Sequence, residues 1–340
     1  MKVLFITSEA LPFAASGGLA DVSAALPKAL RRRFVGCRVV LPLYAGIPQN
    51  LRQELRFLTS FTVPLAWRNQ YCGVFEGRAG GVTYYLLDNE YYFKREGLYG
   101  HYDDAERFAF FARAALELLK YIDFAPDILH CNDWQTALVP VYLRTDYARL
   151  PAYGGLKTVF TIHNLQYQGK YTPAILGDVF GLSEREAPLV TYDGCVNLMK
   201  GGVECADAVT TVSETYAREI LDPWHAHGLH NILRAHGAKL RGIVNGIDTQ
   251  IYDPETDPAL LENYSAEDPA GKAANKKGVQ ESLGLPAEPD VPLVCMVTRL
   301  TGHKGLDLVR EAMDELLRRE LRMAVLGSGD PEYERFFADA

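Results

Sequence analysis

Several polar clusters in this chain stand directly after short apolar runs, and their residue types limit the chemistry they can do. His163-Asn164-Leu165-Gln166-Tyr167-Gln168-Gly169 follows Thr158–Ile162 and packs donors and acceptors into a few residues. Such a set can read the hydroxyls of a sugar, each of which wants both a donor and an acceptor. His130-Cys131-Asn132-Asp133-Trp134-Gln135-Thr136 follows Ile128-Leu129, and there Asp133 reads either as part of a polar wall or as the N-cap of a following helix. Arg299 and Lys304 flank a strand-to-helix opening. A planar guanidinium and a mobile ammonium beside a helix N-terminus suit a diphosphate, although the same pair would be unremarkable on a solvated surface. Near the N-terminus, Val3–Ile6 breaks at Thr7-Ser8-Glu9 and leads into Ala14-Ala15-Ser16-Gly17-Gly18. A glycine loop ahead of a helix can aim backbone N–H groups at a phosphate, or can simply permit a tight turn. Asn245-Gly246-Ile247-Asp248 is either a further polar contact or an Asn-Gly turn.

Other chemistries lack their signatures. There is no G-x-G-x-x-G fingerprint, no G-x-x-x-x-G-K-[ST] loop, no G-x-S-x-G elbow and no H-E-x-x-H or Cys/His cluster. Leu87-Asp88-Asn89-Glu90 reads as a solvated strand end before a divalent-metal site, so no metal is expected. A net charge of −8 argues against nucleic acid as the main partner. No apolar run approaches the ~20 residues that span a bilayer, and Met1-Lys2 leads straight into a strand, without a signal-peptide pattern. The six cysteines form no C-x-x-C pair and mostly adjoin apolar runs, as expected of reduced, buried thiols in a cytoplasmic protein.

The elements that position these clusters alternate. Leu19, Val22, Ala25, Leu26 and Leu30 recur at helical spacing, with Lys28, Arg31, Arg32 and Arg33 at the end the macrodipole favours. Strands are expected at 38–41, 61–66, 72–77, 82–87, 128–130, 158–162 and 208–212, with 61–66 and 72–77 joined as a hairpin through Arg68-Asn69-Gln70. A helix is expected over 105–119. Continuous apolar strands between helices predict a doubly wound parallel sheet, whose ligands bind beyond the strand ends. Residues 252–275 read as a linker or surface excursion. A fresh βαβ unit follows, with strands at 292–297 and 322–326, a helix over 305–319, and Tyr333, Phe336 and Phe337 on a further helix. At ~150 residues per domain the length also implies about two domains. The boundary is placed at 245/246, and the second sheet is expected to be incomplete. Tyr84-Tyr85 and Tyr91-Tyr92 read as strand aromatics rather than sugar platforms.

Taken in order, these motifs resemble the bacterial glycogen synthase and plant starch synthase family of retaining glycosyltransferases. The resemblance rests on MKVLFITSEALPFAASGGLADV, EGLYG, HCNDWQTALVPVYL, FTIHNLQYQGKY, TVSETYAREI, VNGID and TRLTGHKGLDLV. It implies a GT-B fold of two Rossmann-like domains, 1–245 and 246–340, with the active site in the cleft between them. The implied partners are ADP-glucose and an α-1,4-glucan, with no cofactor. By this resemblance Gly17, Gly18 and Asp21 border the donor, and Ala15, Tyr99, Asn164 and Gln166 join the substrate contacts. His163 sits near the transferred sugar with Asp133 in the same wall, Asn245 lies at the hinge side, and Arg299 and Lys304 grip the diphosphate. Two departures stand out. Ala15 replaces the Lys of the family's Lys-x-Gly-Gly motif, and family members continue past residue 340, so the chain reads as a truncated enzyme. The alternatives are a transferase using a UDP-sugar and a non-catalytic glucan- or nucleotide-binding fragment.

Overall fold

The run Val3–Ile6 becomes β1 (Lys2–Ile6), the central strand of a nine-stranded sheet. In this computed structural model, which describes residues 1–340, the other strands of that sheet are β2 (Gly36–Pro42), β3 (Arg56–Leu65), β4 (Arg68–Ala79), β5 (Val82–Asp88), β6 (Ile128–Asn132), β7 (Lys157–Ile162), β11 (Ala208–Thr211) and β12 (Leu240–Gly242). A small antiparallel sheet holds β8 (Lys170–Tyr171), β9 (Thr191–Tyr192) and β10 (Cys195–Asn197). The large sheet runs β12-β11-β7-β6-β1-β2-β5-β4-β3. Seven of its strands, β12 through β5 in that order, pair in parallel, as the continuous apolar runs predict. From β1 the chain adds β2, goes to the far edge with β3, comes back through β4 to β5 beside β2, and then crosses to the other side of β1 with β6. The carboxyl ends of β1 and β6 therefore form a topological switch point, where open α/β sheets bind ligands.

The far edge differs from a purely parallel sheet. β3 and β4 are antiparallel, and their turn is Ala66-Trp67, with Ala66 at φ 52°. The expected connector Arg68-Asn69-Gln70 lies inside β4, because this two-residue turn lets both strands run longer than their apolar cores. The helix Asp104–Glu117 is buried almost all round. Its Arg107 is fully buried, pairs with Asp104 and donates to the carbonyls of Tyr92 (2.7 Å) and Leu98 (3.2 Å), so the loop carrying Tyr99 is held by a helix in the core. Tyr84, Tyr85 and Tyr92 are buried; Tyr91 is exposed.

Two compact units divide at Asp248/Thr249. In the second, β13 (Leu293–Val297) and β14 (Arg322–Leu326) form a parallel pair, with helices Leu306–Leu316 and Pro331–Asp339. Its core is small: Leu300, Leu306 and Tyr333, with Met296, Val325 and Phe337 packed against them. The expected linker 252–275 is only partly one, since the helix Gly271–Ser282 begins within it. The expectation of buried thiols holds for Cys37, Cys72 and Cys131. Cys195 and Cys205 are half-buried, and Cys295 is exposed because two strands leave a sheet face uncovered. No helix is long and apolar enough to cross a membrane.

Candidate active site

At the switch point the side chains are tied to one another rather than to solvent. Asn132, fully buried at the end of β6, donates from Nδ2 to the carbonyl of Ile6 at 3.0 Å. That bond turns its Oδ1 toward the His163 ring, where it accepts from Nε2 at 2.9 Å. The Asp133 carboxylate accepts from the backbone N–H of His163 at 2.7 Å and of Asn164 at 3.3 Å. It does not cap a helix: Asp133 has φ 55° and its side chain makes no capping bond, because it crosses to the end of β7 instead. Burial raises the Asp133 carboxyl to about 7, against the pull of those two N–H groups. Burial also lowers His163 to about 4, against the attraction of Glu9. His163 is therefore a neutral imidazole near pH 7, with Nε2–H committed to Asn132.

Glu9 is the residue that motif reading passed over. It is buried just past β1, and its carboxylate accepts from the Ser16 backbone N–H, the Ser16 hydroxyl (3.0 Å) and the Tyr99 hydroxyl (3.0 Å). Ser8 Oγ meets the same Tyr99 hydroxyl at 2.8 Å. Desolvation raises the Glu9 carboxyl despite these bonds. One signal was present: a charged residue three positions past the apolar run Val3–Ile6. The N–H of Ser16 is thus spent on Glu9, and the helix Gly18–Arg32 opens after Gly17 with no side-chain cap.

The two glycines need no tight turn. Gly17 has φ −176°, extended backbone that any residue adopts, and Gly18 is not left-handed either. A Cβ built on either would meet nothing within 4 Å. Neither local conformation nor internal packing demands glycine here. Ala15 is exposed and Asp21 is half-buried in the first helical turn. Asn164 Oδ1 accepts from the Gln166 N–H at 3.0 Å, so it shapes its own loop, while Gln166 is exposed. The buried amide of that loop is Gln168, bonded to the carbonyls of Leu165 and His227 and to Asn197. Asn245 is exposed in a segment without regular secondary structure, 243–248, and not in a turn. The structure thus brings Glu9, the glycine loop, Tyr99, Asn132, Asp133 and His163 to one sheet edge, with Gln166 and Asn245 outward.

In the second unit Arg299 and Lys304 are exposed in the loop between β13 and the helix Leu306–Leu316. They share that loop with His303, whose ring is lowered first by desolvation and then by Arg299 and Lys304. The loop backbone is pinned from below: Leu300 N–H donates to Ser328 O at 2.9 Å. A Cβ on Gly327 would stand 1.9 Å from the Thr298 carbonyl, so glycine is required for this approach.

Residues 2–235 match the starch synthase catalytic domain family. The chain is 49% identical over 339 residues to a glycogen synthase of Bacillus cereus (strain B4264), covering 99% of this chain and 71% of that one. The chain belongs to this family. It is a glycosyltransferase of the glycogen and starch synthase type, with the family's α/β fold. A glycogen synthase of Anoxybacillus flavithermus is 47% identical over 341 residues, covering 100% of this chain and 70% of that relative. Among solved structures, the catalytic domain of starch synthase IV from Arabidopsis thaliana, bound to ADP and acarbose, matches with TM-score 0.93 at 36% identity, over 99% of this chain and 70% of that one.

Proposed function

We propose that the protein transfers glucose from ADP-glucose to the non-reducing end of an α-1,4-glucan with retention at the anomeric carbon, in the cytoplasm. The carrying observation is the open glycine pair at Gly17-Gly18, at the same sheet edge as a neutral, half-buried His163 in a chain of this family. Breaking the C1–O bond leaves negative charge on the β-phosphate while the sugar becomes oxocarbenium-like. In this reading Arg299 and Lys304 take the diphosphate and stabilise its developing charge. Gly17 and Gly18 let the loop approach the donor, with Asp21 and Ala15 beside it. An uncharged His163 does not oppose the positive sugar, and Glu9 and Asp133 favour it in their ionised forms. Tyr99, Asn164, Gln166 and Asn245 supply the remaining substrate contacts. Residues 1–245 serve as the synthase domain and 246–340 as the nucleotide-sugar part.

Incubation with radiolabelled ADP-glucose and glycogen tests this directly. Label enters glycogen from ADP-glucose in preference to UDP-glucose, and α-amylase releases it. Incorporation from UDP-glucose alone overturns the donor assignment. Tight glucan binding without turnover would favour the binding-fragment reading.

A further inference from the structure

One fully buried cation has no part in the site described above. Arg107 stands in the first turn of the helix Asp104–Glu117, with its guanidinium 5.5 Å from the Phe93 ring centroid and 5.4 Å from that of Phe108. Its Nε donates to the Tyr92 carbonyl at 2.7 Å and its Nη1 to the Leu98 carbonyl at 3.2 Å. Nη1 also pairs with Asp104 Oδ1, and the other oxygen of Asp104 accepts from the Gly100 N–H at 2.8 Å. One ion pair thus ties the backbone at 92, 98 and 100 to a single helical turn.

The segment so tied has little else to set its course. Between Phe93 and Asp104 it forms no helix or strand, and Gly97 and Gly100 are both left-handed, at φ 74° and 90°. Tyr99 stands between those glycines. Its ring is tilted against Phe108 at 6.0 Å, and its hydroxyl meets Glu9 at 3.0 Å and Ser8 at 2.8 Å. A buried guanidinium is a poor core filler, because desolvation offsets much of the attraction inside its ion pair and apolar side chains of similar volume often pack as stably. Its planar fork supplies direction instead, several donors at fixed angles. Here those donors go to two carbonyls of the Tyr99 segment and to the carboxylate that holds a third point of it. A hydroxyl that must meet a buried carboxylate needs placing to within about 0.5 Å.

We propose that Arg107 is a positioning residue. Through Tyr92, Leu98 and Asp104 it fixes the segment 94–103 so that the Tyr99 hydroxyl meets Glu9, and turnover depends on it although it touches no substrate. This rests on the reading of Tyr99 as a substrate contact given above.

The test compares Arg107→Lys, Tyr99→Phe and the double variant in transfer of label from ADP-glucose to glycogen, with amide hydrogen exchange measured on each. Lysine keeps a charge beside Asp104 but cannot serve both carbonyls. Arg107→Lys is expected to lower kcat/KM about 10²-fold, the scale of a small misplacement at a site. Exchange should quicken in 94–103 and stay at the wild-type rate in β1, β6 and β7. Tyr99→Phe also lowers kcat/KM, and the double variant falls little below the worse single variant, because both changes act through one hydroxyl. Asp104→Asn keeps an acceptor for the Gly100 N–H and shows the same two effects at smaller size, so it carries the comparison if Arg107→Lys does not fold. The proposal is overturned if the Arg107 or Asp104 variant turns over like wild type, if exchange in 94–103 is unchanged or rises equally in the strands, if the losses multiply in the double variant, or if Tyr99→Phe retains full turnover. Exchange needs no substrate, so a wrong donor or acceptor assignment, seen as no transfer by wild type, is told apart from a wrong account of the loop.

Discussion

The two clusters assigned to sugar and to phosphate are built in opposite ways. Around β1, β6 and β7 every named polar group is bonded within the wall: Asn132 to Ile6 and His163, Asp133 to two backbone N–H groups, Glu9 to Ser16 and Tyr99. Around β13 only the backbone is fixed, and the Arg299 and Lys304 side chains stand in solvent. Neutral hydroxyls are distinguished by the direction of hydrogen bonds, so their readers must be held in place. A diphosphate carries enough charge to order flexible cations itself.

The contrast fails most visibly at Arg299. Replacing it with Ala should lower kcat by about 10²–10³-fold, the range for losing one charge-stabilising group, with an unchanged melting temperature. Equal loss of melting and turnover would make Arg299 a fold residue. The opposite behaviour is expected of the wall. Asn132→Ala strands the Ile6 carbonyl and the His163 Nε2–H, which should cost about 1–3 kcal/mol in denaturant unfolding as well as activity. Unaltered stability would mean that the wall is not held by this amide.

A smaller effect sharpens the same point through pH. Asp133, at about 7 in the fold against an ordinary 3.8, contributes stability that is present in acid and is lost as pH rises through 7. His163, at about 4 against 6.5, does the reverse: its contribution is present above 6.5 and lost as pH falls through 4. Asp133→Asn keeps an acceptor for the His163 N–H but cannot ionise. Its melting temperature relative to wild type should therefore rise between about pH 5 and about pH 8. A constant difference would show that the carboxyl titrates normally.

How much of this was legible in sequence varied with the physics of each part. Runs such as Val3–Ile6 and Thr158–Ile162 located parallel strands because both faces of that sheet are covered. The same logic overreached at Cys295, whose apolar strand lies in a two-stranded sheet and stays exposed. Asp133 shows the limit for local rules. Its position before a helical turn suggested a cap, but the end of β7 offered two N–H groups from thirty residues away in sequence, and a long-range bond is invisible to spacing. Glu9 was hidden for a related reason: its partners, Ser16 and Tyr99, meet it only after the sheet assembles. The hairpin connector was expected at Arg68-Asn69-Gln70 and lies at Ala66-Trp67, since strand length follows pairing as well as apolar content.

The account depends most on the reason for Gly17-Gly18, and calorimetry of ADP-glucose binding with a parallel melting curve addresses it. Gly18→Ala should weaken donor binding by about tenfold or more while the melting temperature stays at the wild-type value. Undiminished donor affinity in a variant that melts earlier would mean that the loop needs glycine for its own fold, and the donor assignment would lose its footing.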